Sequence, residues 1–298
     1  MISRGTLIVA LVALEFAIVG EMIVAIHGGG PSSQFLSRGW EAEAASGPRV
    51  AEGGPHRTFD AGAHPALTVD IGYADLTIIT GNTSQIDVAV SRSRDFGFMH
   101  SKAPITARKD GDTVHIETNE DGWTTGDMRM VTVVVPPETQ VTVANAGDIK
   151  ATGLRAESSF SSTGRGTVTI DDYNAPALHV TSSNGLVSLH QIVATRLDIT
   201  SSNDRVEGTG LQVRDGTIES DDRVSLAFAT GSDTLVNADA NDGKVRLSGF
   251  AAGASVETSR KSGEEDDDSS SQIVRVGTGA GHLDVHANDG NITLIQEP

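Results

Sequence analysis

The sequence predicts an all-β fold: a β-solenoid, similar to a parallel β-helix, whose coils are about nineteen residues long and follow one N-terminal transmembrane helix. Three observations predict this fold. Short runs alternate apolar and polar residues, one motif recurs at a nearly fixed interval, and a single long apolar segment lies near the N-terminus.

The alternating runs begin near residue 59 and include "LTVDIG", "TVHIET" and "VTVVVPPETQVTV". Clusters of Gly, Asn and Asp separate them, which is typical of strands joined by tight turns. Aromatic residues make up 4% of the chain and glycine occurs 33 times, a mixture that favours strands and turns over helices.

The recurring unit is an apolar-x-apolar strand, a polar corner, and a Val or Ile that opens the next strand. The opening residues are Ile149, Val168, Val187, Val206, Val224, Val245 and Ile292. The first four are separated by nineteen residues each, the spacing of a solenoid whose coils stack on one another. The long gap before Ile292 is interpreted as two coils, with Val274 opening one and residues 259–271 forming an acidic loop insertion. This interpretation predicts that the coils stack in sequence order.

The two-residue period also predicts which side chains face the core. Those expected inside are Val187, Leu189 and Val206, and those expected outside are Ser188, Arg205 and Glu207. Because one coil cannot bury its apolar face alone, stability must come from stacking.

The apolar segment is "TLIVALVALEFAIVGEMIVAI", residues 6–26, which has the length of a membrane span although it contains two glutamates. An uncleaved signal anchor is favoured over a cleaved signal peptide, because no good cleavage site follows. Arg4 precedes the span and the next basic residue is Arg38, so the N-terminus is expected in the cytoplasm. The predicted organisation is a cytoplasmic stub (1–5), the anchor (6–26), a flexible linker (27–56) and an extracytoplasmic repeat domain (57–298).

The segment "VTVVVPPETQVTVANAGDIKATG", residues 131–153, resembles the bacterial "putative adhesin" family of β-strand-repeat domains, a domain of unknown function. The resemblance lies in a V-x-V-x-V-P strand followed by a G-D-I unit, here Pro136 and Gly147-Asp148-Ile149, with an earlier copy at Ala74-Asp75-Leu76. It implies a β-solenoid-like fold outside the cytoplasmic membrane in the cell envelope. The family brings no catalytic residues.

Composition excludes several classes of function. A formal charge of −18 argues against a nucleic-acid partner, since binding a polyanion needs Lys and Arg, and the absence of cysteine excludes disulfides and thiolate chemistry. There is no P-loop, dinucleotide fingerprint or nucleophile elbow. No cofactor, catalytic residue or enzymatic activity is therefore expected.

Asn and Asp recur at the predicted coil corners, at Asn203, Asp204, Asn241, Asp242, Asn288 and Asp289. Stacked carboxylates and amides offer the oxygen ligands that Ca²⁺ prefers. The favoured alternative is structural, because Asn and Asp readily form tight turns and bond their own backbone.

A separate cluster gathers basic and large apolar residues in "SRSRDFGFMHSK", with Arg92, Arg94, Phe96, Phe98 and Met99 as its members. Aromatic residues beside arginine are typical of binding hot spots, so these five are candidates for partner binding. The alternative is a hairpin whose phenylalanines cap one end of the solenoid.

The favoured function is a non-enzymatic, membrane-anchored protein for adhesion, surface interaction or envelope scaffolding, with an envelope protein or a polysaccharide as partner. One alternative is a polysaccharide-acting enzyme that uses acids such as Asp171, Asp172, Asp221 and Asp222 on a β-helix. Another is a self-assembling structural protein, a homo-oligomer stacked end to end, because the last coil "NITLIQEP" has no obvious cap.

Overall fold

A computed structural model describes residues 57–72, 74–92, 105–118, 129–145, 147–250, 255–259 and 269–297. All regular secondary structure in these residues is β-strand, which confirms the all-β prediction. Across the same ranges there is no helix long and apolar enough to cross a membrane. The predicted anchor and linker lie outside the described residues.

Twenty strands form one continuously paired sheet that winds around a single core. The N-terminal strands are β1 (Arg57–Asp60), β2 (Ala66–Ile71), β3 (Ala74–Thr80), β4 (Gln85–Arg92), β5 (Ile105–Asp110), β6 (Thr113–Thr118) and β7 (Arg129–Val135). The central strands are β8 (Gln140–Asn145), β9 (Ile149–Thr152), β10 (Ser158–Ser162), β11 (Val168–Ser182), β12 (Val187–Ser201) and β13 (Val206–Ser220). The C-terminal strands are β14 (Val224–Phe228), β15 (Thr234–Ala240), β16 (Val245–Ser248), β17 (Ser255–Ser259), β18 (Ser270–Val276), β19 (Gly281–Ala287) and β20 (Ile292–Gln296).

The central coils confirm the nineteen-residue repeat. In β11, β12 and β13 the residues Val168, Val187 and Val206 pair directly in parallel register. Each coil has three sides, which in β11 are a first side (168–171), a short second side (173–177) and a third side (178–182). The strand of each coil bends at two points, and in β11 and β12 the bend between the first and second sides contains no glycine.

That bend is a stacked left-handed corner. Asp172, Gln191 and Gly210 lie nineteen residues apart and have φ angles of 49°, 54° and 65°. Only the third is a glycine, the residue that adopts this conformation without steric cost. Asp tolerates the left-handed conformation, whereas Gln does not favour it, so at Gln191 the coil repeat imposes the corner.

The predicted faces are correct. Val187, Leu189 and Val206 are fully buried in the core, while Ser188 and Glu207 are partly exposed and Arg205 is exposed. The inward residues form aliphatic columns, and the largest fully buried side chains are Tyr173, Phe160 and Phe228. Burial of each aliphatic side chain contributes roughly 1.5 to 3 kcal/mol, which offsets the entropy lost in ordering the coil.

Glycine at the corner before the first side is required by the spacing between coils. A Cβ on Gly166 would lie 2.1 Å from the carbonyl oxygen of Gly147, and one on Gly185 would lie 2.0 Å from that of Gly166. Both distances are far below van der Waals contact, and the obstacle in each case is backbone. The coils that contain Gly147, Gly166 and Gly185 can therefore stack this closely only because these positions carry no side chain.

We expect Gly185→Ala to lower the free energy of unfolding by about 1 to 3 kcal/mol, because the overlap with a paired carbonyl forces the two coils apart. Chemical denaturation of the purified protein measures the effect. The adjacent exposed change Arg165→Ala is the control and should leave the unfolding midpoint unchanged. Equal midpoints for the two variants would contradict this role of the glycine.

The G-D-I motif has a second physical basis in its aspartate. The Asp148 carboxylate accepts a hydrogen bond from the Thr167 N–H of the next coil at 2.7 Å, and Asp75 accepts one from the Asp148 N–H at 3.4 Å. Burial raises the pKa of the Asp75 carboxyl, since the charged form loses solvation. The aspartates of this motif thus link coils through backbone amides.

The same corner contains a ladder of buried hydroxyls that the sequence analysis did not single out. Ser162, Ser182, Ser201 and Ser220 are at most 2% exposed. The Ser182 hydroxyl donates to the Gly185 carbonyl at 2.7 Å, and the hydroxyls of Ser201 and Ser220 both donate to the Asp204 carbonyl. The ladder satisfies turn carbonyls that would otherwise be buried without a partner.

The prediction that coils stack in sequence order is wrong at the C-terminal end. The last coil lies inside the stack: β19 pairs with β13 on one side and β15 on the other, and β20 pairs with both β14 and β16. Ile292 therefore follows Val224 in the stack and precedes Val245. The uncapped final edge inferred from "NITLIQEP" does not exist, because both edges of β20 are paired.

The assignment of Val274 as the start of another coil is also wrong. It lies in β18, which runs antiparallel to β15, with Val274 opposite Val236. Strand β17 pairs antiparallel with β18. The acidic residues 260–268 of the predicted insertion lie outside the described residues, while residues 270 and 271 belong to β18.

The N-terminal end has the same arrangement. Strand β2 lies between β6 and β8, and β3 lies between β7 and β9. Strand β4 then runs antiparallel to the far side of β7, and β5 runs antiparallel to β6. The two strands β3 and β4 therefore lie on either side of β7, just as β18 and β19 lie on either side of β15.

Tyr173 anchors the interior of the central coils. Its ring is fully buried, and its hydroxyl donates to the Ala177 carbonyl while the Ala156 carbonyl oxygen lies 3.1 Å away. Burial raises the pKa of this phenol from 10.0 to about 12, because the phenolate would lose solvation.

The raised pKa makes stability depend on alkaline pH. The folded state favours the neutral phenol, so its contribution is complete below pH 10 and is lost as pH rises through about 12. We expect unfolding in this window, with Tyr173→Phe less sensitive to pH there than the unmodified protein. Denaturation midpoints at pH 9 and pH 11 measure it, and identical pH dependences would contradict the prediction.

Candidate functional site

A groove with a volume of about 690 Å³ runs along the second side of the central coils. Two outward columns form its walls, and each column takes one residue from every coil. The first column is Asn174, Val193 and Gln212, and the second is Pro176, Thr195 and Arg214. All six side chains are exposed.

The groove follows directly from the coil register. Between the two columns lie Ala175, Ala194 and Val213, which face the core and are almost fully buried. Because the side chains of these residues point inward, the floor lies below the outward side chains of the walls. Val193 is 37% exposed, one of two large apolar side chains in the described part of the chain that are so exposed.

Each end of the groove carries an arginine. At one end the Arg155 guanidinium forms two hydrogen bonds with the Asp172 carboxylate, at 2.9 and 3.0 Å. At the other end Arg214 lies 3.5 Å from Asp215, and Asp233 and Ala280 close the groove. Both arginine side chains are at least one-third exposed, so they remain accessible to a ligand.

The chemistry of the groove suits binding more than reaction. Its walls offer amides, a hydroxyl and two guanidinium groups over an apolar floor, which are groups that hydrogen-bond and pack without exchanging protons near neutral pH. It is open and runs along the stack, so it fits an extended ligand. Across the residues that the structure describes, no group of three or more His, Asp or Glu side chains is arranged to hold a metal ion.

The third side displays a second polar surface. His179 lies 3.1 Å from the Asp198 carboxylate, which Arg196 also contacts at 2.6 Å. Further along the stack His282 and His286 both face outward on β19, with His282 3.1 Å from Asp284. These side chains pair with neighbours on the surface, so they form a flat ladder and not a pocket.

The corner residues named as calcium candidates take part in stacked turns. The Asn288 amide donates to the Asp221 carboxylate at 2.7 Å, and its own oxygen accepts from the Asn241 amide at 3.2 Å. The Asp204 carboxylate accepts from the Arg205 N–H at 2.7 Å. Asp242 and Asp289 bond the preceding coil through their backbone N–H groups, and Asn203 donates to Ser183. Several of the oxygens that a cation would need are therefore engaged.

The carboxylates suggested for a polysaccharide-acting enzyme are not brought together. Asp172 lies at the left-handed corner and binds Arg155, and Asp171 ends the first side. Asp221 and Asp222 lie at the opposite corner, between β13 and β14. The two pairs therefore occupy different corners of different coils.

Four of the partner-binding candidates, Arg94, Phe96, Phe98 and Met99, lie outside the described residues. Arg92 is the last residue of β4. In contrast, the groove residues were not identified from the sequence. Their one signal is the nineteen-residue interval that links Asn174, Val193 and Gln212, and this interval marks a column without marking a concavity.

The described domain is similar to known proteins over most of its length. A family profile described as Toastrack DUF4097 matches residues 64–295, which confirms the resemblance drawn from residues 131–153. Among solved structures, a putative cell adhesion protein from Clostridium sporogenes has 12% identity and a TM-score of 0.34, over 82% of this chain and 98% of that one. A putative adhesin from Bacteroides fragilis has 11% identity and a TM-score of 0.47, over 83% of this chain and 100% of that one. Among curated proteins, none matches the chain.

Proposed function

Because the chain belongs to the Toastrack DUF4097 family, a domain of unknown function, we propose its role from its own surface: it is a non-enzymatic surface protein that binds an extended envelope polysaccharide through the groove of the second side. The groove carries the proposal, because it combines exposed hydrogen-bonding side chains with a low apolar floor along the stack. An apolar floor with a few polar groups that fix orientation is typical of ligand sites.

The length and openness of the groove favour a polymer over a small molecule. Each of the three central coils adds one residue to each wall, at the strand spacing of about 4.8 Å, so a linear chain meets a new pair of side chains at each step. Asn174 and Gln212 supply amide donors and acceptors for hydroxyl groups. Arg155 and Arg214 at the ends already contact Asp172 and Asp215, so we expect them to donate hydrogen bonds to hydroxyl groups and not to select a charged polymer.

The location of the protein is part of the same proposal. Residues 6–26 anchor it in the cytoplasmic membrane, and residues 27–56 hold the repeat domain away from the bilayer on the extracytoplasmic side. A stiff β-stack on a flexible tether places the groove where envelope polymers lie. Adhesion or scaffolding of the envelope would follow from many such contacts.

Binding of the full-length protein in detergent to a panel of purified cell-wall polysaccharides tests this function. Val193→Asp replaces an apolar contact in the wall of the groove with a hydrated carboxylate, so we expect polysaccharide binding to fall at least tenfold. Ser188→Asp is the matched control, because it places the same charge at an outward position of the same strand on the first side. Both variants should keep the melting temperature.

Two results would contradict the proposal. Equal binding by the Val193→Asp and Ser188→Asp variants would show that the groove is not the binding surface. Release of shortened polysaccharide products by the unmodified protein would favour the alternative of an enzyme.

A further inference from the structure

The C-terminal coil, residues 281–297, occupies an unusual place for the last segment of a chain. Its two strands fill a slot between β13–β14 on one side and β15–β16 on the other. Both walls of the slot are formed by residues that precede it in sequence. The slot must therefore exist, or form, before the coil can enter it.

The segment that connects the two walls of the slot keeps them one coil apart. Residues 229–233 lead from β14 to β15, and this segment is fixed to the central coils because the Ala229 N–H and the Ser232 hydroxyl both donate to the Leu211 carbonyl. From there the chain passes to β15, which lies one coil further along the stack than direct stacking on β13 would place it. Strands β13 to β16 therefore leave one coil position between them, and the C-terminal coil occupies it.

The coil that fills this position pairs with both walls. Val285 pairs between Ile218 and Ala238, and Leu294 pairs between Leu226 and Leu247. Every contact is parallel and in register, as in the central coils. The same contacts would form if the coil came from another molecule, because nothing in the pairing depends on the covalent link.

A glycine-rich turn leads into the coil and acts as its hinge. Residues 277–280 cross over the start of β15, with Thr234 paired to Val276 on one side and to Gly281 on the other. Gly277 and Gly279 have φ angles of 66° and 74°, so the turn depends on left-handed conformations. The turn buries no large side chain, which leaves it free to open without disturbing the core.

The Asp233 side chain holds the turn at residues 277–280 in place. The Asp233 carboxylate accepts hydrogen bonds from the Thr278 hydroxyl at 2.7 and 2.9 Å and from the Ala280 N–H at 3.1 Å. These bonds lower the pKa of Asp233, because they stabilise the charged form. Asp233 also ends the connecting segment, so it joins the hinge to the wall of the slot.

We propose that the C-terminal coil exchanges between molecules: it leaves its own slot by opening at residues 277–280 and enters the slot of a second copy of this chain. Exchange of an identical element forms the same contacts in the dimer as in the monomer, so its free-energy cost is small apart from that of association. This interaction differs from end-to-end stacking, since it uses an interior slot and not a free edge. It is independent of polysaccharide binding.

Cross-linking between single-cysteine variants tests the exchange, and the absence of cysteine from the sequence leaves no background. Thr217 and Asp284 are direct partners across β13 and β19. Full-length Thr217→Cys and Asp284→Cys proteins are mixed in detergent with a bifunctional thiol reagent whose spacer matches the strand spacing of about 4.8 Å. The double variant in one chain verifies that the reagent spans the pair.

The control pair lies in coils that follow one another in sequence. Thr181 and Thr200 are partners across β11 and β12, and both are exposed. We expect the Thr217→Cys and Asp284→Cys mixture to form a cross-linked heterodimer at least tenfold faster than the Thr181→Cys and Thr200→Cys mixture. Adding Asp233→Ala to both partners should raise the rate of the first mixture several-fold more, because the hinge loses its hydrogen bonds.

Two outcomes overturn the proposal. One is a heterodimer that forms no faster than in the control mixture, with or without Asp233→Ala. The other is an equal acceleration of both mixtures by Asp233→Ala, which would mean that the whole stack opens and not the coil alone.

Discussion

Val187→Asp is expected to unfold the repeat domain, with a loss of more than about 4 kcal/mol of stability. Val187 is fully buried in the aliphatic column and pairs with Val168 on one side and Val206 on the other. A carboxylate there would be unpaired and desolvated, since neither neighbour offers a donor side chain. The loss of the far-ultraviolet strand signal at room temperature, or of most of the denaturation midpoint, measures the effect.

The control for this change is its neighbour. Ser188→Asp puts the same group one residue along the strand, on the outward face, where Ser188 is 3.1 Å from the His190 imidazole. We expect a change in the melting temperature of no more than a few degrees, in line with the usual effect of surface substitutions. Similar losses for the two variants would mean that the inward and outward faces are assigned incorrectly.

Leu294→Asp is expected to be nearly as damaging, although only four residues follow it in the sequence. Leu294 is fully buried, with Leu226 and Leu247 as its partners on either side. A charge at this point would separate the coil of β13–β14 from that of β15–β16 and open both. Thermal unfolding of the purified variant measures the loss, which we expect to exceed about 3 kcal/mol.

The outward residue beside it supplies the comparison. Thr293→Asp faces solvent on β20, so it should leave the melting temperature nearly unchanged. If Leu294→Asp proved as mild as Thr293→Asp, the last coil would be a frayed end and its interior position would be wrong.

The sequence was sufficient to predict the central coils, but it predicted neither the order of the C-terminal coils nor the antiparallel strand that contains Val274. The nineteen-residue interval and the two-residue period predicted the register of Val168, Val187 and Val206 and the direction of Ser188. These features are local, because each depends on the residues of one coil and its immediate copy. The G-D-I motif was likewise visible, and its chemistry is that of Gly147 and Asp148 at a closely packed corner.

Coil order could not be predicted because the coils are chemically alike. Val224, Val245 and Ile292 all follow a polar corner, and any one of them can stack on another with similar aliphatic contact. A spacing of 21 residues between Val224 and Val245 suggests neighbours, yet residues 229–233 carry the chain past one position. Tertiary contacts of that connecting segment, and not any strand pattern, decide the arrangement.

The groove could not be predicted from the sequence for a related reason. Val193, Asn174 and Gln212 look like ordinary outward residues in their own strands. They form a site only because the left-handed corner at Asp172, Gln191 and Gly210 turns the coil and creates a short second side. A left-handed Gln is not readable from sequence, so neither the corner nor the groove beside it has a sequence signature.

Cross-linking within one chain tests the interior position of the last coil most directly. Ser225 pairs with Thr293, and Thr293 pairs in turn with Arg246, so Ser225 and Arg246 are two coils apart. With a thiol reagent that spans one strand spacing, about 4.8 Å, we expect rapid cross-linking in the Ser225→Cys, Thr293→Cys double variant. The Ser225→Cys, Arg246→Cys double variant should react slowly. The reverse order of rates would mean that the coils stack in sequence order and would contradict this structure.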